Sequence, residues 1–269
     1  MGNWMNGYLE KLAANRKENL EAGGEERIKV QHQLGKLTAR ERIKILADPG
    51  SFEEIGSVVR EFRMGMEGDP KPSPSDGIIM GFANVNGKPV MVYSLDFTVM
   101  SGSLGDQGIW KIAELVQMAG QERVPIIGMF DSAGSRFSIK NGYVGLNGLG
   151  RLLRNYCLYS GVIPQIALVL GPCTGPIAQV PVLSDFLIFN QNTGFMWLGG
   201  EINSDEAGSA DFHMEKSGQC DLLADSDEEA IQLARQLLEF TPQNCWEKPP
   251  IIKSTDDPAR QEDALLDVM

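Results

Sequence analysis

Val124-Pro125-Ile126-Ile127-Gly128-Met129-Phe130-Asp131-Ser132-Ala133-Gly134-Ser135-Arg136 decides how the rest of the chain is read. The apolar run over residues 124–130 shows no polar alternation, the mark of a strand covered on both faces. It stops at Asp131-Ser132, and small residues follow. A strand ending this way leaves backbone N–H groups without ladder partners, and such a cluster can receive a developing negative charge on oxygen. A tight turn that merely needs small residues explains the same stretch. The device recurs, however. Residues 162–170 form a second apolar run, which enters Gly171-Pro172-Cys173-Thr174-Gly175-Pro176. Each run follows a helix-like stretch, and this repeated helix–strand–glycine-loop plan predicts an α/β fold with loops gathered on one face of a mostly parallel sheet.

Length and charge narrow the function classes. The 269 residues suffice for one large domain or two small ones. No apolar run approaches the ~20 residues of a membrane span and no signal-peptide pattern is present, so a cytoplasmic location is expected. A net charge of −12 disfavours nucleic acid and anionic membranes as partners. The four cysteines, Cys157, Cys173, Cys220 and Cys245, form no Cys-x-x-Cys pair, so neither a zinc ribbon nor a disulfide framework is expected, and no metal site is predicted. With His32 and His213 the only histidines, a Ser-His-Asp hydrolase would rest on one of these two.

Outward from the central stretch, the spacing of apolar residues predicts one or two surface helices in an arm over residues 1–34. Thr38 and Glu41 have capping-box spacing at the head of a helix that ends before Pro49-Gly50. Its basic side chains fit either a solvated face or partners for a phosphate. Asn86-Gly87 predicts a hairpin turn between strands at 77–85 and 88–95. Ser101, Gly102 and Ser103 lie in a small-residue loop before a helix at 106–121, either an anion-binding edge or a serine-capped helix start. Helices are expected at 147–160 and 225–240, strands at 185–189 and 194–198, and irregular chain at 201–219. The Pro-rich, then charged, stretch from residue 242 reads as a linker.

Gly35-Lys36-Leu37-Thr38-Ala39-Arg40-Glu41-Arg42-Ile43, Asp96-Phe97-Thr98-Val99, Ser101-Gly102-Ser103-Leu104-Gly105 and Asp131-Ser132-Ala133-Gly134-Ser135-Arg136 occur in one order with Gly171-Pro172-Cys173 and Lys216-Ser217-Gly218. In this order they resemble the amino-terminal half of a biotin-dependent acyl-CoA carboxyltransferase of the propionyl-CoA carboxylase β-subunit type. The resemblance implies a crotonase-like spiral of ββα units. It divides the chain into a helical arm (1–34), a carboxyltransferase amino-terminal domain (35–241) and a connector (242–269). It implies transfer of CO2 between carboxybiotin and the α- or γ-carbon of an acyl-CoA through a thioester enolate, with a sodium-pump type decarboxylase or a structural subunit as alternatives.

The implied cofactor is biotin on a separate carrier, and the implied substrate is a coenzyme A thioester. The implied partners in a hetero-oligomer are a second carboxyltransferase half, a biotin carboxyl carrier protein and a biotin carboxylase. The main-chain amides of Ala133 and Gly134 are expected to stabilise the enolate. Ser101, Gly102, Ser103, Ser132, Arg136, Gly171, Pro172, Cys173, Thr174 and Gly175 are expected to line the ligand site, with Arg136 more apt to fix the turn and Cys173 to pack. Two departures stand beside the presumed acyl pocket: Phe137-Ser138-Ile139-Lys140 where the family reads Ile-Gln-Glu-Gly, and Thr174-Gly175-Pro176 where it reads Ala-Gly-Gly.

Overall fold

In the computed structural model, residues 3–60, 73–138, 142–143, 146–199, 204–251 and 253–268 are described. Helices α1 (Asn3–Glu21) and α2 (Glu25–Gln33) form the arm, and α3 (Ala39–Leu46) leads into β1 (Glu53–Glu54). Strands β2 (Ile78–Val85) and β3 (Lys88–Leu95) precede α4 (Asp106–Glu122), β4 (Ile126–Ser132), the short pair β5 (Phe137–Ser138) and β6 (Gly142–Tyr143), and α5 (Leu146–Tyr159). Then come β7 (Gln165–Thr174), α6 (Gln179–Val182), β8 (Phe186–Asn190), β9 (Phe195–Trp197), α7 (Ser204–Ala207), β10 (Leu222–Ala224) and α8 (Asp227–Phe240).

The large sheet runs β1-β2-β3-β4-β7-β8-β10, with β9 paired to β7. Its β1–β3 corner is antiparallel, and every pairing from β3 onward is parallel. Asn86 (φ 52) and Gly87 (φ 75) make the predicted hairpin, both in the left-handed region such a turn requires.

Helices cover both faces, which is why the central strands carry no polar alternation. On one side Ile112, Val116 and Leu152 of α4 and α5 pack on Tyr93, Phe130, Val169 and Phe189. On the other, Ile43, Leu46, Ile231 and Leu238 of α3 and α8 pack on Val92, Ile127, Leu168 and Ile188. Helix α3 starts as expected: the Thr38 N–H donates to Glu41 Oε2 at 2.8 Å, and the Glu41 N–H donates back to Thr38 Oγ1 at 3.4 Å. The arm is pinned to the sheet's loops, with the Gly23 N–H on Thr98 Oγ1 at 3.1 Å and Arg27 on the Thr98 carbonyl at 3.1 Å.

Three expectations need correction. Strand β4 continues through Asp131 and Ser132, and β7 begins later and runs on through the supposed loop to Thr174. Small residues there serve close strand packing, and β9 supplies the ladder partner. The stretch 201–219, of which 201–203 lie outside the described residues, is helical: α7 is followed by a single π-helical turn, Phe212–Lys216. The presumed linker is docked at its start, where Asn244 donates to the Arg123 carbonyl at 3.0 Å and Trp246 stacks under the Arg123 guanidinium.

Candidate active site

The end of β4 is wired from behind. Asp131 is fully buried and its carboxylate accepts from Lys36 Nζ at 2.9 and 3.1 Å, Arg42 Nη2 at 3.0 Å and Gln31 Nε2 at 2.8 Å. Arg42, also without solvent exposure, donates through Nε to Asp227 Oδ2 at 2.8 Å. Asp227 in turn accepts from the Leu37 N–H at 3.0 Å and from Asn190 at 2.9 Å. Burial alone would lower the Arg42 pKa; the charges of Asp131 and Asp227 outweigh it and raise the guanidinium above its ordinary value. The basic residues of the Lys36–Arg42 stretch therefore form neither a solvated face nor a phosphate site. Lys36 and Arg42 answer Asp131, and Arg40 pairs with Glu54 at 2.7 Å.

That network fixes the second loop as well as the first. A Cβ on Gly171 would lie 2.1 Å from Asp131 Oδ1, so the glycine is what admits the carboxylate. Arg42 Nη2 also reaches the Leu170 carbonyl at 3.3 Å. Gly171 thus serves the scaffold. Pro172 and Cys173 lie in β7, paired to Phe195 and Met196, and burial pushes the Cys173 thiol far up. Cys173 is a packed residue.

The loop before α4 is held just as closely. Met100, Ser101 and Gly102 take φ of 51, 56 and 61 in succession, a left-handed run that costs about 1–2 kcal/mol per non-glycine residue. Bonds from the end of β4 hold it in place. The Ala133 N–H donates to the Ser101 carbonyl at 3.0 Å, Ser132 Oγ to the Gly102 carbonyl at 2.7 Å, and Arg136 to Ser103 O at 2.6 Å and Oγ at 3.3 Å. Arg136 also pairs with buried Asp76 at 2.8 Å, and the other Asp76 oxygen accepts the Gly108 N–H at 2.8 Å. The anion expected at the start of α4 is thus the protein's own Asp76. The cap is Gly105, without a side-chain bond, and not a serine. Lys111 of α4 braces the strand-entry turn from below, donating to the Ser75 and Ile78 carbonyls at 2.7 Å each.

The two ends differ in the space beside them. The Ala133 amide is engaged by Ser101 O, and the Gly134 amide donates to Ser132 Oγ at 3.0 Å. Both of the expected oxyanion donors face acceptors of the chain itself. At the end of β7, Gly175 (φ +69) has nothing within 4 Å of where a Cβ would sit. Its N–H is not free, however: Thr174 pairs in parallel with Trp197, and since Pro172 has no N–H the ladder directs the Gly175 N–H to the Trp197 carbonyl. Sequence reasoning placed Gly175 in the ligand site, and what the structure adds is the open space beside its Cα. Pro176 starts the turn leading into α6, a position where proline is tolerated.

Beside this end lies a cleft of about 560 Å3 lined in part by Ala178, Gln179, Met196 and His213. His213 Nε2 faces the Met196 carbonyl at 2.9 Å, an acceptor, so this nitrogen carries the proton; Nδ1 meets Ser217 Oγ at 3.0 Å. The ring is stacked on Phe189, 5.3 Å between centres. It is a wall, with both nitrogens occupied. Among the described residues, no three His, Cys, Asp or Glu side chains gather where they could hold a metal, and no helix is long and apolar enough to cross a membrane.

The propionyl-CoA carboxylase carboxyltransferase subunit of Haloferax mediterranei is 38% identical over 98% of this chain and 53% of its own length. The methylmalonyl-CoA decarboxylase subunit alpha of Veillonella parvula is 34% identical over 90% of this chain and 49% of its own. A transcarboxylase 12S crystal structure, a hexamer with methylmalonyl-coenzyme A bound, superposes with a TM-score of 0.86 at 36% identity, over 96% of this chain and 52% of that one. The fold is crotonase-like, as these neighbours are. The chain spans about half the length of the curated relatives it matches. Residues 30–269 match the carboxyl transferase domain, and the chain belongs to that family.

Proposed function

We propose that this chain is the acyl-CoA half-site of a biotin-dependent carboxyltransferase, holding the thioester while a second carboxyltransferase half closes over it. The observation that carries the reading is the open apolar cleft beside the Gly175 turn, where β7 ends against β9 in a chain of the carboxyl transferase family. The Ala133–Gly134 turn, whose amides are engaged within the chain, locks the Ser101–Ser103 loop and so shapes the wall of the site.

Biotin, arriving on a carrier, would supply the carboxyl group and the proton acceptor. The residues present suit that division, since His213 is bonded on both nitrogens. The chain's own contribution is to bind the ester, hold the thioester at the end of β7 and keep the α-carbon toward the facing subunit. A decarboxylase of the same architecture is the second reading, supported by the decarboxylase alpha subunits among the relatives.

The test is reconstitution. The chain is combined with a second carboxyltransferase half and a biotinylated carrier, and label is followed from carboxylated carrier to acyl-CoA. Transfer is expected only with all components present. Turnover by the chain alone would point to a hydratase or thioesterase, and failure of the chain to bind any CoA ester would leave a purely structural subunit.

A further inference from the structure

The cleft beside Gly175 is not required to stabilise an enolate, and its character is different. Its walls are Leu153 and Cys157 of α5, Val182 and Leu183 at the end of α6, and Met196 and Leu198 around β9. At about 560 Å3 it falls within the range of pockets that enclose small organic ligands. A propionyl group would fill only a small part of it. The side chains of Gln179 and Gln219 stand exposed at its rim, the places where a polar linker could leave an apolar interior.

Its position follows from strand register. Thr174 pairs with Trp197, so Leu198 comes level with Gly175, and Gln179 lies one turn along the helical stretch that Gly175 opens. The turn that Gly175 opens thus runs along the mouth of the cleft. His213 cannot shift to close it, being fixed by Met196 O, Ser217 and Phe189.

We infer that this cleft receives the acyl chain of the CoA ester, and that the substrate class is an acyl group longer or bulkier than propionyl; the inference rests on the half-site reading above. Each methylene buried there tightens binding about fourfold, so affinity climbs with chain length until the cleft is full.

Cys157 makes the test direct. It is exposed and lies on the cleft wall, whereas Cys245, also exposed, does not line the cleft. The purified chain is alkylated with N-ethylmaleimide in the presence of CoA, propionyl-CoA or octanoyl-CoA, with binding of each followed by calorimetry and both cysteines read by mass spectrometry. Octanoyl-CoA is expected to slow Cys157 alkylation tenfold or more, CoA to leave it unchanged, and Cys245 to react alike throughout. Leu153→Trp, which fills the cleft, should abolish the dependence of affinity on chain length while CoA itself still binds.

Esters that bind with one affinity whatever their chain, leaving Cys157 equally reactive, would overturn the acyl pocket and spare the half-site reading. Absence of binding by every CoA ester would overturn both. Protection of Cys157 by an added second half, with none by octanoyl-CoA, would make the cleft a protein interface, with exposed Leu158, Val182 and Leu198 as its rim, and would also overturn the pocket.

Discussion

The ends of β4 and β7 are built to the same plan, lie side by side in the sheet and do opposite things. At β4 the last residues are buried, the aspartate is bound by three side chains, and the two amides that follow are occupied. At β7 the strand runs on to Thr174, the next amide continues the ladder to Trp197, and an apolar cleft opens beside it. A strand that ends in small residues is therefore not in itself an oxyanion site. What distinguishes the two is the space beside them: at β4 the left-handed run Met100–Gly102 closes against the strand end, and at β7 a cleft remains. The closed end makes the open end rigid: Asp131 packs on Gly171, and through Arg42 it reaches the Leu170 carbonyl.

Breaking the closed end should have the largest effect on stability. Asp131→Ala leaves Lys36 and Arg42 buried without their shared counter-charge, and a loss of about 3–5 kcal/mol is expected by urea denaturation. A loss under about 1 kcal/mol would mean that the network is not what holds the two loops together.

The brace under the closed end should show in the pH dependence. Burial lowers the Lys111 pKa to about 8 from 10.5. Between those values the unfolded chain holds a proton that the folded chain has released, so this group makes the fold more stable as pH rises through that window. The stability difference between the native protein and Lys111→Met should grow by roughly 1 kcal/mol per pH unit from pH 8 to 10. A difference that stays flat across that range would place the amine in water.

A smaller and sharper contrast compares two glycines. Gly171→Ala pushes a methyl into the Asp131 carboxylate and should cost about 1–3 kcal/mol. Gly175→Ala meets no atom and bears only the left-handed backbone penalty of about 1 kcal/mol. Equal costs in thermal denaturation would remove the distinction between the two ends.

Much of this fold is legible in the residues. The Asn86-Gly87 hairpin, the Thr38–Glu41 box and the helices around 106–122, 146–159 and 227–240 follow from local spacing that burial merely completes. The site was less legible, and the reasons are physical. Lys36 and Arg42 find Asp131 across 95 and 89 residues of chain, a pairing that no local window contains. The tails of β4 and β7 carry the small residues of a loop because other backbones and a carboxylate press against them, so composition marks a turn where the ladder in fact continues. Strand β10, only Leu222–Ala224, is too short to show a period, and it is a strand because β8 offers it an edge. That the Ala133 amide is occupied depended on the left-handed conformation of Ser101, and no residue type announces that in advance.

The central claim is that the CoA ester is held at the open end of β7 and not at the closed end of β4. Leu153→Trp, which fills the cleft, should lower carboxyl transfer in the reconstituted assembly by about 10-fold or more with little change in thermal stability. Ser101→Ala, at the closed end, should leave transfer within a few fold. A large loss at 101 with none at 153 would contradict the account and return the site to the end of β4.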